Sequence, residues 1–257
     1  QFEVIEFPNL TGDYQVGRSS YDMIDTSREE TFTLDESDSR DFAITVFYPA
    51  IPSEADELAP YVSEELVAPM VAETGFPAFI WEAFQPHAYQ DAPIAEGKFP
   101  VLLFSHGLGA PIQGYTGQME DLASHGYIVV GISHTYVTPV VALSDGRILR
   151  ASEGTYFSEA EHITSREDTI VFDNNTSSIW VDDMLFVLNM LTELNSSEEI
   201  LANHMDLGRI GAIGHSFGGA TAFGAAYEDE RILAVVDLDG SLHGDVLAEG
   251  LTRPALW

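Results

Sequence analysis

Cysteine is absent from the 257 residues, which excludes disulfide support and any thiol nucleophile. Basic residues are almost absent too: ten, with Lys98 the only lysine, stand against 42 acids for a formal charge of −32. Charged residues make up only 20% of the chain, slightly below the usual share, so the imbalance is a loss of bases. Such a surface repels phosphate backbones and anionic bilayers, which excludes nucleic acid and acidic membranes as partners. It fits high salt or an acidic external medium, and the expected location is secreted or extracytoplasmic. No apolar run approaches 18 residues, so no transmembrane segment is expected. No signal peptide is present either, and a chain that starts at Gln1 points to a leader removed or left out of the numbering. Internal repeats and low-complexity linkers are lacking, and the length suits one α/β domain spanning residues 1–257.

What is present centres on Gly214-His215-Ser216-Phe217-Gly218. A short apolar run, 209–213, precedes it and a small-residue run, 220–226, follows. This is a G-x-S-x-G elbow between a strand and a helix. Side chains at Gly214 and Gly218 would collide in so tight a turn, and the strain lifts the Ser216 hydroxyl clear of the sheet. The helix behind it aims N–H groups at developing negative charge. A chance Gly-Ser-Gly turn is the bland alternative, and the flanking strand and helix argue against it.

Strands are expected at 14–17, 41–48, 101–105, 127–133, 209–213, 234–238 and 254–257, and helices over about 113–125, from Ser177 or Ser178, and to about 227. In the second helix Val181, Met184, Leu185, Leu188 and Leu191 share one face. The continuous apolar run Val101-Leu102-Leu103-Phe104-Ser105 is that of a strand covered on both faces. Strand–helix alternation of this kind gives a doubly wound, mostly parallel α/β sheet. Two long segments, 50–98 and 138–176, read as irregular and lid-like. The first holds Phe76, Phe79, Trp81 and Phe84, whose bland reading is ordinary packing and whose functional one is the wall of an acyl pocket.

The Ser105-His106-Gly107-Leu108-Gly109 turn lies at the carboxyl end of its strand, where an oxyanion loop belongs, with Gly107 and Gly109 carrying the signal. The N–H groups of Leu108 and Phe217 are the expected oxyanion donors, and His106 reads as a turn residue with its ring on backbone. Asp237 and Asp239 share one strand face, and Asp239 lies at the carboxyl tip where α/β sites assemble. Asp239 is therefore the expected acid, and Asp237 a hydrogen-bonded structural one. No histidine is convincingly placed. His243 is too close to Asp239, His215 is a packing residue, and among those before the elbow only His134 is well placed to line the site.

The stretches 214–221, 104–110 and 237–240, with Thr11–Gly17 and Asp25–Arg28, resemble the platelet-activating factor acetylhydrolase-like serine esterases. That α/β-hydrolase group is itself similar to some polyester hydrolases. The resemblance implies Ser216 as nucleophile, Asp239 as triad acid, Leu108 and Phe217 as oxyanion donors, and calcium-independent hydrolysis of short or oxidised acyl esters. Neither cofactor nor metal is expected, and the substrate would be a small-molecule or polymeric ester of phospholipid or polyester type. In this order the triad histidine follows the acid. The expectation is that the final strand, helix and histidine lie in a remaining carboxyl-terminal segment, which would be a partner of this piece. The rivals are other chemistry on the same scaffold (thioesterase, lactonase or peptidase) and a silent binding module that kept the elbow.

Overall fold

A computed structural model describes residues 4–197 and 200–257. Eight strands form the main sheet: β1 (Gln15–Glu29), β2 (Ser39–Ala50), β3 (Tyr89–Gln90), β4 (Phe99–Ser105), β5 (Ile128–Ser133), β6 (Met205–His215), β7 (Ile232–Leu238) and β8 (Ala255–Leu256). Their spatial order is β8-β7-β6-β4-β5-β2-β1-β3. The run β8-β7-β6-β4-β5 is parallel throughout, and β2 is antiparallel to both β5 and β1. Among the described residues β8 pairs on one side only, and Leu256 and Trp257 are exposed there.

Neighbouring residues of the central strands alternate between two hydrophobic layers. Val46, Leu103 and Val130 join helices α3 (Arg166–Ser196) and α4 (Phe217–Glu228) through Val181, Met184, Leu188, Ala222 and Phe223. Phe47, Phe104 and Val129 point the other way, to Met119 and Ala123 of α2 (Thr116–Ser124). Because both faces are covered, the strands read as unbroken apolar runs instead of alternating ones. The expected fold class is the one observed.

Register positions the site. Gly214 pairs with Ser105, Ser105 with Ile132, and His215 with Leu238. Four parallel strands therefore end nearly level, and the residues just past each end, His106, His134, Ser216 and Asp239, meet at one edge of the sheet.

Two expectations are corrected. The helix expected from Ser177 or Ser178 begins eleven or twelve residues earlier, at Arg166, where the Ser165 hydroxyl accepts the Asp168 N–H (3.1 Å). The segments expected to be irregular also hold some regular structure. The first holds helix α1 (Glu64–Thr74) and the second a hairpin, Val140–Ala142 with Ile148–Arg150, and a short helix, Tyr156–Ala160.

The charge imbalance carries a stability consequence. Like charges on the surface repel over a screening length of about 30 Å at 0.01 M salt and about 3 Å at 1 M. The melting temperature is expected to climb between dilute buffer and molar sodium chloride, and a flat or falling trend in a thermal melt would count against it.

Candidate active site

Ser216 occupies φ 53°, ψ −122°, a region that non-glycine residues avoid. Its backbone is held from three sides. The Ser216 N–H donates to the Leu238 carbonyl (2.9 Å), and its own carbonyl accepts from Gly219 (2.9 Å) and Ala220 (3.2 Å). The glycines are obligatory here. A Cβ on Gly214 would lie 2.1 Å from the Gly218 carbonyl oxygen, and one on Gly218 would lie 2.3 Å from that of Ser105. Strand, turn and helix are thus jammed together with the half-buried serine at the crest.

Gly107 lies beside this turn, where a Cβ would stand 2.9 Å from His215 Nδ1. The Gly107 N–H donates to the Tyr115 hydroxyl (2.9 Å), which meets His215 Nδ1 (2.8 Å). His215 is thus a hydrogen-bonding residue, a correction to its reading as mere packing. Gly109 has φ +70°, a left-handed turn suited to glycine. Among the described residues no group occupies the N–H of Leu108 or of Phe217.

Asp239 follows the end of β7 with φ +64° and an exposed carboxylate. Asp237 is buried, but neither of its carboxylate oxygens has a hydrogen-bond partner of good geometry among the described residues. The expectation of a hydrogen-bonded acid is corrected accordingly. Burial pushes its pKa up, and the nearby Gly240 N–H only partly opposes this.

Seven of the eight histidines are tied down by hydrogen bonds. Away from the elbow, His87 bonds the Phe7 and Pro8 carbonyls, His125 meets Thr11, His162 bonds the Ser158 carbonyl and His204 that of Gly97. His243 instead packs its ring on Phe217, 5.1 Å between centroids. Burial pushes its pKa down.

His134 is a correction. It does not line an open site, because its ring is fully buried. Ser105 Oγ lies 2.8 Å from its Nε2, and its Nδ1 lies 2.9 Å from Asp183 Oδ2. This has the polarity of a Ser-His-Asp triad, yet Ser105 and Asp183 are also fully buried. Arg40 grips Asp183 through Nε (3.0 Å) and Nη2 (2.7 Å), Glu30 pairs with Arg40 Nη1 (2.7 Å), and Arg28 Nη2 reaches Asp183 Oδ1 (2.9 Å). Burial alone would raise the Asp183 pKa, but the Arg40 charge, with hydrogen bonds from His134 and Arg40, holds it well below the usual carboxylate range. Burial likewise pushes the His134 pKa down. Trp180 stacks on His134 (3.9 Å, 10° between planes) and meets Phe217 edge-on (5.0 Å), joining this buried relay to the elbow. Trp180 and Asp183, three residues apart on α3, present one face. Sequence reasoning missed both, together with Arg40 and Arg28.

The second lid-like segment reaches the 106–110 loop. Thr138 Oγ1 donates to the Ala110 carbonyl (3.0 Å), and the Phe157 ring lies 3.8 Å from where a Gly109 Cβ would stand. Trp81 and Phe84 follow the bland reading, whereas Phe76 and Phe79 lie exposed at the surface. Trp81 stacks on Tyr61 and joins Val62, Leu66, Met70 and Val140, while Phe84 packs on Phe7. A cavity of about 310 Å³ beside this cluster, lined by Arg18, Phe47, Tyr61 and Met119 among others, includes no residue of the elbow or the 106–110 loop.

Comparison with known proteins agrees with this geometry. The family described as platelet-activating factor acetylhydrolase, isoform II, matches residues 1–244. The chain belongs to that family. A dog platelet-activating factor acetylhydrolase is 25% identical over 254 residues, covering 90% of this chain and 54% of that protein. A probable 1-alkyl-2-acetylglycerophosphocholine esterase from Arthroderma benhamiae is 31% identical over 152 residues, covering 59% of this chain and 34% of that protein. Among solved structures, a ferulic acid esterase from Streptomyces cinnamoneus superposes with a TM-score of 0.79 at 31% identity, over 97% of this chain and 66% of that one. The chain therefore spans about a third to two thirds of the length of these relatives. Membership of the acetylhydrolase family fits the α/β-hydrolase architecture of the sheet. No helix among the described residues is long and apolar enough to cross a membrane.

Proposed function

We propose that this acetylhydrolase-family protein is a serine carboxylic-ester hydrolase for short-acyl or oxidised-acyl esters, of phospholipid or polyester type. The observation that carries the reading is the strained Ser216 backbone at φ 53° beside two unoccupied N–H groups. In that reading Ser216 Oγ attacks the ester carbonyl carbon, and its proton passes to a base. The carbonyl π electrons move onto oxygen, which takes hydrogen bonds from the Leu108 and Phe217 N–H groups. Collapse of the tetrahedral species expels the alcohol, which receives the proton, and leaves an acyl-enzyme. Water repeats the sequence and releases the carboxylic acid.

Asp239 is assigned the role of orienting the base. The base itself is assigned to a histidine outside these 257 residues, because the hydrogen-bonded histidines are engaged elsewhere and His243 is packed on Phe217. Phe157 and Leu108, both partly exposed, are assigned to the substrate's path over the oxyanion loop. The acidic composition supports work outside the cytoplasm.

A fluorophosphonate probe separates this reading from one that uses the buried relay. Incubated with the full-length protein and mapped by peptide mass, the label is expected on Ser216. Labelling confined to Ser105 or any serine other than Ser216, or none on a folded protein, would overturn the assignment.

A further inference from the structure

We propose that His106 is a positioning residue that locks the Gly107–Leu108 peptide with its N–H turned toward the oxyanion site. The inference rests on the esterase reading above. His106 is fully buried and its two ring nitrogens have different partners. Nδ1 lies 2.8 Å from the Gly107 carbonyl oxygen, and a carbonyl only accepts, so Nδ1 carries the proton. Nε2 accepts the backbone N–H of His134 at 3.2 Å, so it must be bare. One tautomer alone satisfies both contacts, the neutral Nδ1–H form. Burial, followed by the neighbouring His134, pushes the His106 pKa down to about 3, so that form persists at working pH.

The consequence follows from peptide geometry. The Gly107 carbonyl and the Leu108 N–H belong to one planar trans unit, in which C=O and N–H point in opposite directions. Fixing the carbonyl toward His106 turns the Leu108 N–H outward. Flipping this peptide would withdraw the donor and aim a carbonyl dipole at the developing oxyanion. The Ala110 N–H also bonds the Gly107 carbonyl (3.0 Å), and Tyr115 restrains the preceding peptide. His106 is nonetheless the one side chain tied to that carbonyl among the described residues. It is also the link to the relay, because the His134 amide that fixes its tautomer belongs to the residue gripped by Asp183 and Ser105.

Three variants of the full-length protein test this on a p-nitrophenyl acetate assay, with inhibition by a trifluoromethyl ketone, which forms an oxyanion adduct. His106→Ala should lower kcat by about 10- to 100-fold, a fraction of the loss when an oxyanion donor is deleted. KM should move little, and ketone affinity should fall in step with kcat. His106→Asn keeps an N–H near the Nδ1 position and should recover most of kcat. His106→Gln places its amide near the Nε2 position and should not. If the alanine variant does not fold, the Asn–Gln contrast decides, both being polar and buried alike. An active wild type with equal kcat in the Asn and Gln variants, or a folded His106→Ala with unchanged kcat, overturns the positioning role alone. A folded wild type inactive on esters and blind to fluorophosphonate removes both this inference and the esterase reading.

Discussion

Ser216→Ala is expected to lower kcat for ester hydrolysis by about 10⁴-fold or more while leaving the fold intact. The magnitude is that of deleting the nucleophile of an acyl-transfer site, where only binding and oxyanion stabilisation remain. Alanine still carries a Cβ, so the strain at φ 53° stays and the melting temperature should hardly change. Ser216→Gly separates the two quantities. It should be equally inactive yet more stable by about 1–3 kcal/mol, since glycine adopts this backbone freely. Ser105→Ala is the control. It removes a buried hydroxyl bonded to His134, so it should cost stability, about 1 kcal/mol, and keep activity within about tenfold. If the Ser105 variant were the inactive one, the nucleophile would have been misassigned.

The elbow was legible in the sequence because its constraints are local. Gly214 and Gly218 meet backbone within four residues of each other or on the adjacent strand end. The continuous apolar runs of β4 and β5 announced burial on both faces for the same reason. Helix α3 was harder. Asn174, Asn175 and Thr176 are poor helix formers and mask its first turns. The start signal was nonetheless there, Ser165 followed three residues later by Asp168, with the serine hydroxyl on the Asp168 N–H. The relay had no local sequence pattern. Arg40 and Asp183 stand 143 positions apart, and only the fold brings them together. One clue was available in composition. In a chain with ten basic residues, an arginine at the start of an aromatic, β-branched strand is conspicuous.

Breaking that relay is expected to give the largest loss of stability short of a core truncation. Arg40 is 1% exposed and Asp183 0%, so each relies on its partners: Arg40 on Asp183 and Glu30, Asp183 on Arg40, Arg28 and His134. Removing one partner of a buried pair strands a charge away from water, at a cost of about 3–5 kcal/mol. Asp183→Ala should therefore lower the unfolding free energy by that amount, and Arg40→Met, which removes the stranded cation, should recover part of it in the double variant. The pH dependence has a definite sign. The folded Asp183 carboxyl is held below the usual range, so its contribution is complete above the unfolded pKa of about 3.9 and is lost as pH falls below it. His106 and His134 act earlier. Burial pushes both pKa values down, that of His106 to about 3, so His106 stays neutral in the fold across this range. The unfolded chain, by contrast, takes up protons at these residues below about 6.5, costing up to about 1.4 kcal/mol per pH unit each. Acidification also relieves repulsion among the 42 acids, so the two effects oppose each other between pH 6.5 and 4. High salt removes the repulsive part and leaves the histidine part. In molar sodium chloride, stability measured by urea unfolding should fall steadily as pH drops below 6.5. A stability that rises with acid even there would mean that carboxyls whose pKa burial raises, Asp237 among them, outweigh the histidines.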